Sequence, residues 1–346
     1  MARLIAAMSG GVDSAVATAQ MVEAGHEVTA VHMILSRNPP ARDDAATVAA
    51  QLGIQFQVWD FSAQFRRQVV DHFVDEYARG RTPNPCLRCN QRVKFAALID
   101  RAAGLGFDGV VTGHYARVSR RADSTVELHR GVDAAKDQSY VLGVLSQRQL
   151  RYSYFPLGDQ TKAAVRAEAR ARGIHLAGKP DSNDICFIPD GDTAGYLRTR
   201  LGARPGVIQT VDEQVLGEHQ GCFAYTIGQR KGLRITTVAP DGRPRYVVGI
   251  DTVGNRVIVG GRQALRVVRL CGVDPTWCDH PPAAPFEATV QLRAHAKEVP
   301  AVIELGQDRV DIELTVPVHG IAPGQTAVIY SGTKVVGSTV IDSASG

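Results

Sequence analysis

The chain has 346 residues, 44% of them hydrophobic and 21% charged, with a formal net charge of +4. This composition excludes a disordered chain, and the length calls for two or three domains rather than one core. Six cysteines over such a length do not make a disulfide framework, so a reducing cytoplasm is the expected compartment. No apolar run approaches the roughly 18 residues of a membrane span, and Leu4 to Met8 is too short for the core of a signal peptide. The mild basicity allows a polyanionic partner without requiring one.

The first two hundred residues alternate strand and helix. "RLIAAM" (3–8) has the texture of a buried strand, and "SAVATAQMVEAG" (14–25) that of a helix stopped by Gly25. Strands follow at 27–35 and 55–61, around a helix at 43–54. Helices are expected at 65–80 and 92–106, then a strand at 107–115 and a late helix at 161–173. Such alternation predicts an α/β domain, a doubly wound parallel sheet with helices on both faces, over residues 1–202. From residue 203 the texture becomes short β-like runs broken by Gly, Pro and Asn, a small, mostly β central domain over 203–265. After the Pro-rich "DHPPAAP" (279–285), five successive strand-like runs predict a C-terminal β-barrel, with the domain spanning 266–346.

Ligands on parallel sheets bind beyond the carboxyl ends of the strands. The segment "MSGGVDSAV" (8–16) falls at such an end and opens a helix. Its glycines allow close backbone approach, its amides and the helix terminus favour an anion, and Ser9 and Ser14 add hydroxyls. Asp13 is a candidate for holding a magnesium ion that bridges phosphates. The loop has no lysine at the Walker position and is not G-x-G-x-x-G; a bare strand-to-helix turn capped by Asp or Ser is the plainer alternative.

Two further segments carry thiols. In "RTPNPCLRCNQRVKF" (81–95) the prolines predict a stiff extended loop before Cys86 and Cys89, with a helix following. Arg88, Arg92 and Lys94 nearby are expected to lower the thiol pKa. A zinc half-site is the alternative, although no second C-x-x-C exists. In "GKPDSNDICFIPDG" (178–191), Cys186 lies in a surface-like run of Asp and Pro, with Asp181 and Asp184 as candidate helpers. Cys222, Cys271 and Cys278 have the character of structural thiols, Trp277 of a core residue, and "ARARG" (169–173) with Arg166 of a solvated helix face.

"SGGVDS" (9–14) resembles the PP-loop of ATP-pyrophosphatases (adenine nucleotide α-hydrolase-like), enzymes that cleave ATP between its α and β phosphates and adenylate a carbonyl oxygen. With the two thiol segments it is similar to the bacterial tRNA-specific 2-thiouridylases (MnmA type). The likeness continues through "TGHYAR" (112–117), "KDQSYVL" (136–142), "FPLGDQTK" (155–162), "FAYTIGQRKGL" (223–233) and "YVVGID" (246–251), in order over nearly the whole chain.

The resemblance implies a tRNA-uridine 2-sulfurtransferase. ATP adenylates the 2-carbonyl oxygen of the wobble uridine in glutamate, glutamine and lysine tRNAs, and a persulfide sulfur displaces AMP. It implies Cys186 as the persulfide carrier and Cys89 as the nucleophile that ends in a disulfide with it. ATP contacts fall on Ala7, Met8, Ser9, Gly10, Gly11, Val12, Asp13, Ser14, Met33 and Gly113. The target base falls on Asn84, Pro85 and Cys86, and other tRNA contacts on His114, Lys136, Asp137, Gln138 and Gln325. The implied partners are tRNA and a cysteine desulfurase or sulfur-relay protein, with the chain a cytoplasmic monomer.

Two positions depart from the family pattern. Cys86 stands where many members have an aspartate; it is either an acid/base group or, with Cys89 and Cys186, a ligand of an iron-sulfur cluster. In "LRAHAKEV" (292–299), Arg293 and Lys297 remain as phosphate contacts, while Ala294 occupies the place of an aromatic residue. Two other functions compete. An amidotransferase-type PP-loop synthetase would not need Cys89 and Cys186, and a zinc-holding tRNA-binding module would not need Ser9 to Ser14.

Overall fold

A computed structural model describes residues 1–36, 42–180, 185–233, 235 and 242–346. Five parallel strands form the first sheet in the order β3-β2-β1-β4-β7: β1 (Arg3–Ala7), β2 (Glu27–Ile34), β3 (Gln55–Asp60), β4 (Gly109–Val111) and β7 (Ser153–Tyr154). Pleating sends alternate side chains of β1 to opposite faces. Ile5 joins one core cluster with Val31, Trp59 and Val110; Leu4 and Ala6 join a second with Val28, Ala30 and Val111. Both faces are therefore apolar and covered, as a parallel sheet requires. The order reverses at β1, which has β2 on one side and β4 on the other, so the switch point lies between β1 and β4.

The helices follow the apolar patterning, with shifted ends. α1 (Val12–Glu23) starts two residues before the expected position, and α2 is Arg42–Gln51. A continuous helical run at 62–78 (α3) and another at 85–104 (α4) each contain a π-helical stretch, Arg66–Asp71 and Asn90–Ala97 respectively. α4 begins seven residues earlier than the sequence pattern suggests. Asn84 caps it by accepting the Cys86 N–H at 3.0 Å, and Pro85 takes the first helical position, where its missing N–H costs nothing. Cys86 and Cys89 thus sit on the helix, not on a loop before it. Short helices at Ser139–Leu142 (α5) and Gln147–Arg151 (α6) precede α7 (Lys162–Ala171), capped by Thr161, and α8 (Thr193–Leu201).

A four-stranded sheet, β10-β11-β8-β9, forms the core of the central part, from β8 (Gly206–Thr210), β9 (Val215–His219), β10 (Tyr246–Asp251) and β11 (Arg256–Gly260). The barrel closes over six strands: β12 (Arg266–Trp277), β13 (Phe286–Gln291), β14 (Val299–Leu305), β15 (Arg309–His319), β16 (Thr326–Ser331) and β17 (Lys334–Ser345), with β12 pairing both β15 and β17. The long strand β12 is not apparent from the sequence pattern.

One connection crosses these units. The hairpin of β5 (Ala116–Arg120) and β6 (Val126–Arg130) pairs antiparallel with β17, so an N-terminal segment extends the barrel sheet. Arg130 anchors it, donating to Asp137 and Glu298 at 2.7 Å and lying over the Tyr330 ring. Val328, Tyr330, Val335 and Cys278 of the barrel belong to the same core cluster as Val93, Phe95 and Leu128.

Candidate active site

The glycine loop lies at the carboxyl end of β1, at the switch point. Gly10 adopts φ +74°, a left-handed turn that favours glycine. Ser14 Oγ donates to the Gly11 carbonyl at 3.0 Å and accepts the Ser9 N–H at 3.2 Å; the two serine hydroxyls are 3.2 Å apart. The Met8 N–H donates to Val31 on β2 at 2.8 Å, and His32 Nδ1 lies 3.0 Å from the Met8 carbonyl oxygen. Across the switch point, the turn after β4 presses against the loop. A Cβ on Gly113 would stand 2.6 Å from Asp13 C and from Ser14 N, so only glycine fits there. Met33, at the end of β2, is half-buried.

Asp13 differs from its expected role. Both of its carboxylate oxygens take the Lys162 ammonium at 2.7 Å, and Oδ1 also accepts the Tyr115 hydroxyl at 2.7 Å. A magnesium ion does not suit a carboxylate already filled by an ammonium. Lys162, buried at the start of α7, is the residue sequence reasoning missed. The loop lacks its own lysine, and α7 delivers one from 149 residues away. The only signal was its place in "FPLGDQTK". A second lysine, Lys179, donates to the Gly10 carbonyl at 2.8 Å and to Asp44 at 2.7 Å.

The thiol segments converge. Cys86, Cys89 and Cys186 are all free thiols, and Cys86 and Cys186 both bear electrostatically on buried Cys89. Burial raises the Cys89 pKa to about 11, outweighing the lowering by Lys94, and it raises Cys86 and Cys186 for the same reason. The expectation of activated thiolates is therefore overturned in this conformation. The three basic residues do not act together. Arg88 turns to α3, donating to the Gln68 carbonyl at 3.0 Å, and Arg92 is exposed. Lys94 is the cation that acts on all three thiols. The helix widens into its π-helical stretch directly after Cys89, and Lys94 lies within that stretch. Among the described residues no three His, Cys, Asp or Glu side chains converge to hold a metal ion. Asp181 and Asp184 lie outside the described residues.

The remaining candidates are partly committed within the protein. His114 packs between Phe95 and Phe155, with Nδ1 2.8 Å from Thr112 Oγ1, and burial depresses its pKa to about 3. At pH 7 it is neutral, a hydrogen-bonding group and not a charge. Asp137 accepts from Arg130 and from the Gly131 and Ser139 N–H groups, while Gln138 braces the Tyr115 N–H at 2.9 Å. The Lys136 N–H donates to the Asp133 carbonyl at 2.9 Å. Arg293 donates to the Gly320 carbonyl, and Ala294 packs against the core. Gln325 Oε1 is buried with no hydrogen-bond partner among the described residues. Arg172 pairs with Glu23 and Glu168, and Arg166 donates to the Ala177 and Lys179 carbonyls, so the "ARARG" helix is held by internal contacts. Cys222 and Cys278 are buried, Cys271 is half-buried on β12, and Trp277 packs on the barrel core.

A glycine loop at the switch point of a parallel sheet, in a chain whose three thiols share the influence of one lysine, defines an enzyme of the PP-loop class. Family models described as a tRNA methyl transferase HUP domain, a tRNA methyl transferase PRC-barrel domain and an aminomethyltransferase beta-barrel domain match residues 2–190, 194–261 and 268–341. The proteins named tRNA-specific 2-thiouridylase MnmA from Acidothermus cellulolyticus and a Nocardioides species are each 56% identical, covering 98% of this chain and 97% of the relative. Their namesake from Streptomyces avermitilis is 54% identical over 98% of this chain and 94% of its own length. The chain belongs to the tRNA-specific 2-thiouridylase family, and is an enzyme of that kind.

Proposed function

We propose that the chain uses ATP to adenylate the 2-carbonyl oxygen of the wobble uridine in glutamate, glutamine and lysine tRNAs, and replaces that oxygen with sulfur carried on Cys186. The gathering of Cys86, Cys89 and Cys186 around Lys94 carries this reading. The names attached to the domain models speak of methyl transfer; grouped thiols are what sulfur transfer needs and methyl transfer does not.

In the proposed sequence, the amides of the loop from Met8 to Ser14 and the serine hydroxyls hold the phosphates, with Ala7, Met33 and Gly113 walling the nucleotide. Pyrophosphate leaves as the uridine oxygen attacks the α-phosphorus. The terminal sulfur of a Cys186 persulfide then bonds to C2, and the C2–O bond breaks with AMP taking the oxygen. The Cys89 thiolate attacks Cys186 Sγ, the S–S bond to the transferred sulfur breaks, and a Cys89–Cys186 disulfide remains for an external thiol to reduce. Lys94 stabilises the sulfur anions. Asn84, Pro85 and Cys86 meet the base, and His114, Lys136 to Gln138, Arg293, Ala294 and Gln325 face the rest of the tRNA. Cys86 serves as a proton donor and acceptor in place of a carboxylate.

We derive no step through an iron-sulfur cluster, because no three His, Cys, Asp or Glu side chains among the described residues are placed to ligate a metal, nor through magnesium on Asp13. A cysteine desulfurase or sulfur-relay protein is the proposed donor to Cys186. No helix is long and apolar enough to cross a membrane among the described residues; we take the chain to act in the cytoplasm as a monomer.

Reconstitution with tRNA, ATP and a sulfur donor tests the reading. Thiolated tRNA retarded on an organomercury gel, with one AMP released per sulfur, is expected. Retardation without ATP would sink the adenylation step. An anaerobic preparation that holds iron and shows charge-transfer absorption would replace the persulfide route by a cluster.

A further inference from the structure

In the segment joining α3 to α4, residues 79–84, the Arg79, Gly80 and Arg81 N–H groups donate back to α3 carbonyls, and past Arg81 the backbone makes no such local bonds among the described residues. Pro83 has no N–H, and Pro85 likewise cannot donate back to it. The stretch beyond Arg81 is held from outside, by both β units. The Thr82 N–H donates to the Pro323 carbonyl at 2.7 Å, and the Thr82 and Thr226 hydroxyls are 3.2 Å apart. Gly324, at φ +87°, packs so closely that a Cβ there would lie 3.0 Å from Thr82 N. A Cβ at Gly80 would lie 3.0 Å from Thr252 of the central unit.

Arg81 ties these contacts together. Its guanidinium donates through Nε to Glu76 at 2.8 Å, through Nη1 to Asp342 at 2.7 Å, and through Nη2 to the Ile341 carbonyl at 3.3 Å. Glu76 is buried on α3, whereas Asp342 and Ile341 belong to β17, so one planar fork spans helix and barrel. Lysine has a single donor centre and cannot make that span. An isolated exposed ion pair contributes little. Here the charge also satisfies a buried carboxylate, and the fork fixes direction as well as distance.

We propose that Arg81 is a positioning residue for sulfur transfer, clamping the segment that leads into Asn84, Cys86 and Cys89 to the last strand of the barrel. The inference rests on the thiol roles proposed above. On this view the barrel serves the chemistry as well as the docking of tRNA: it is the wall against which the thiol-bearing helix start is set. Gln325, whose side-chain carbonyl oxygen has no partner among the described residues, follows directly on the Pro323–Gly324 segment that meets Thr82.

The test compares Arg81→Met, Asp342→Asn, the double variant and Arg81→Lys in the full-length chain. Single-turnover thiolation at saturating tRNA and ATP should fall roughly tenfold or more in Arg81→Met, the scale expected when a reacting group is displaced by about an ångström, while the Kd for tRNA changes by less than about threefold. Iodoacetamide should reach Cys89 at least several times faster at fixed pH, with Cys278, buried at the barrel junction, unchanged. That pattern marks local loosening, which general destabilisation would not give. Asp342→Asn leaves the pairing with buried Glu76 intact and so guards against a failure to fold; it should move both readouts in the same direction by less. The double variant should be no worse than Arg81→Met, and Arg81→Lys should recover only part of the rate. The inference is overturned if Cys89 is alkylated at the wild-type rate in both single variants, or if thiolation falls only as far as the folded fraction falls. The alkylation arm needs no tRNA or sulfur donor. A wild-type chain that fails to thiolate therefore sinks the functional reading without deciding this one.

Discussion

At the scale of single residues, the site depends on a backbone approach that only one residue type permits. Gly113→Ala would place a methyl 2.6 Å from two backbone atoms of the nucleotide loop. The variant should lose ATP affinity by roughly tenfold or more, read by equilibrium binding on the fraction that a near-UV circular dichroism spectrum shows to be folded. Wild-type affinity in that variant would remove the glycine loop from the nucleotide site. The thiols give a pH signature. With its pKa raised to about 11, Cys89 is protonated at neutral pH. Its alkylation should therefore rise about tenfold per pH unit through the range 8 to 10, with no plateau near 8.5. A plateau below pH 9 would mean that Lys94 outweighs burial in solution. The sequence made these residues stand out, because S-G-G-x-D-S and the C-x-x-C of Cys86 and Cys89 are local patterns. It misjudged their protonation, since a pKa depends on desolvation by residues remote in sequence.

At the scale of elements, α4 and α7 carry most of what the sequence did not show. The apolar periodicity suggested a helix from 92, but capping chemistry sets the true start at Asn84. A capping Asn and a first-turn Pro make a recognised start signal, here read as a stiff loop because two prolines dominate the local pattern. Asn84→Ala should cost about 1 kcal/mol in a denaturant titration; an unchanged midpoint would show that the barrel contacts alone hold the helix start. α7 brings Lys162 to Asp13 across the fold, a pairing no local pattern encodes. Asp13 is a third exposed, so breaking the pair should cost less than the several kcal/mol of a fully buried one. Lys162→Met should lower stability by about 2 kcal/mol and weaken ATP binding as well. An effect on stability alone would make the lysine a strut and not a nucleotide ligand.

At the scale of the whole molecule, three units were legible from the change in texture near residue 203 and the Pro-rich linker, but their fusion was not. β5 and β6 look like an ordinary part of the first domain, yet they extend the barrel sheet, and Tyr330 and Val335 of the barrel share a core with Phe95 and Leu128. Edge pairing between segments two hundred residues apart leaves no periodic trace in either. Deleting residues 266–346 should therefore uncover the β6 edge and part of the shared core, giving an aggregated or molten product by near-UV circular dichroism and light scattering. A monomeric, cooperatively folding fragment would contradict the shared core. The central claim is that sulfur reaches uridine from Cys186. The most direct measurement is the single-turnover thiolation of tRNA, with ATP and a sulfur donor, by wild-type chain and by Cys186→Ser, resolved on an organomercury gel. Retarded tRNA with the wild type and none with Cys186→Ser is the predicted result; thiolation by Cys186→Ser at the wild-type rate would contradict it.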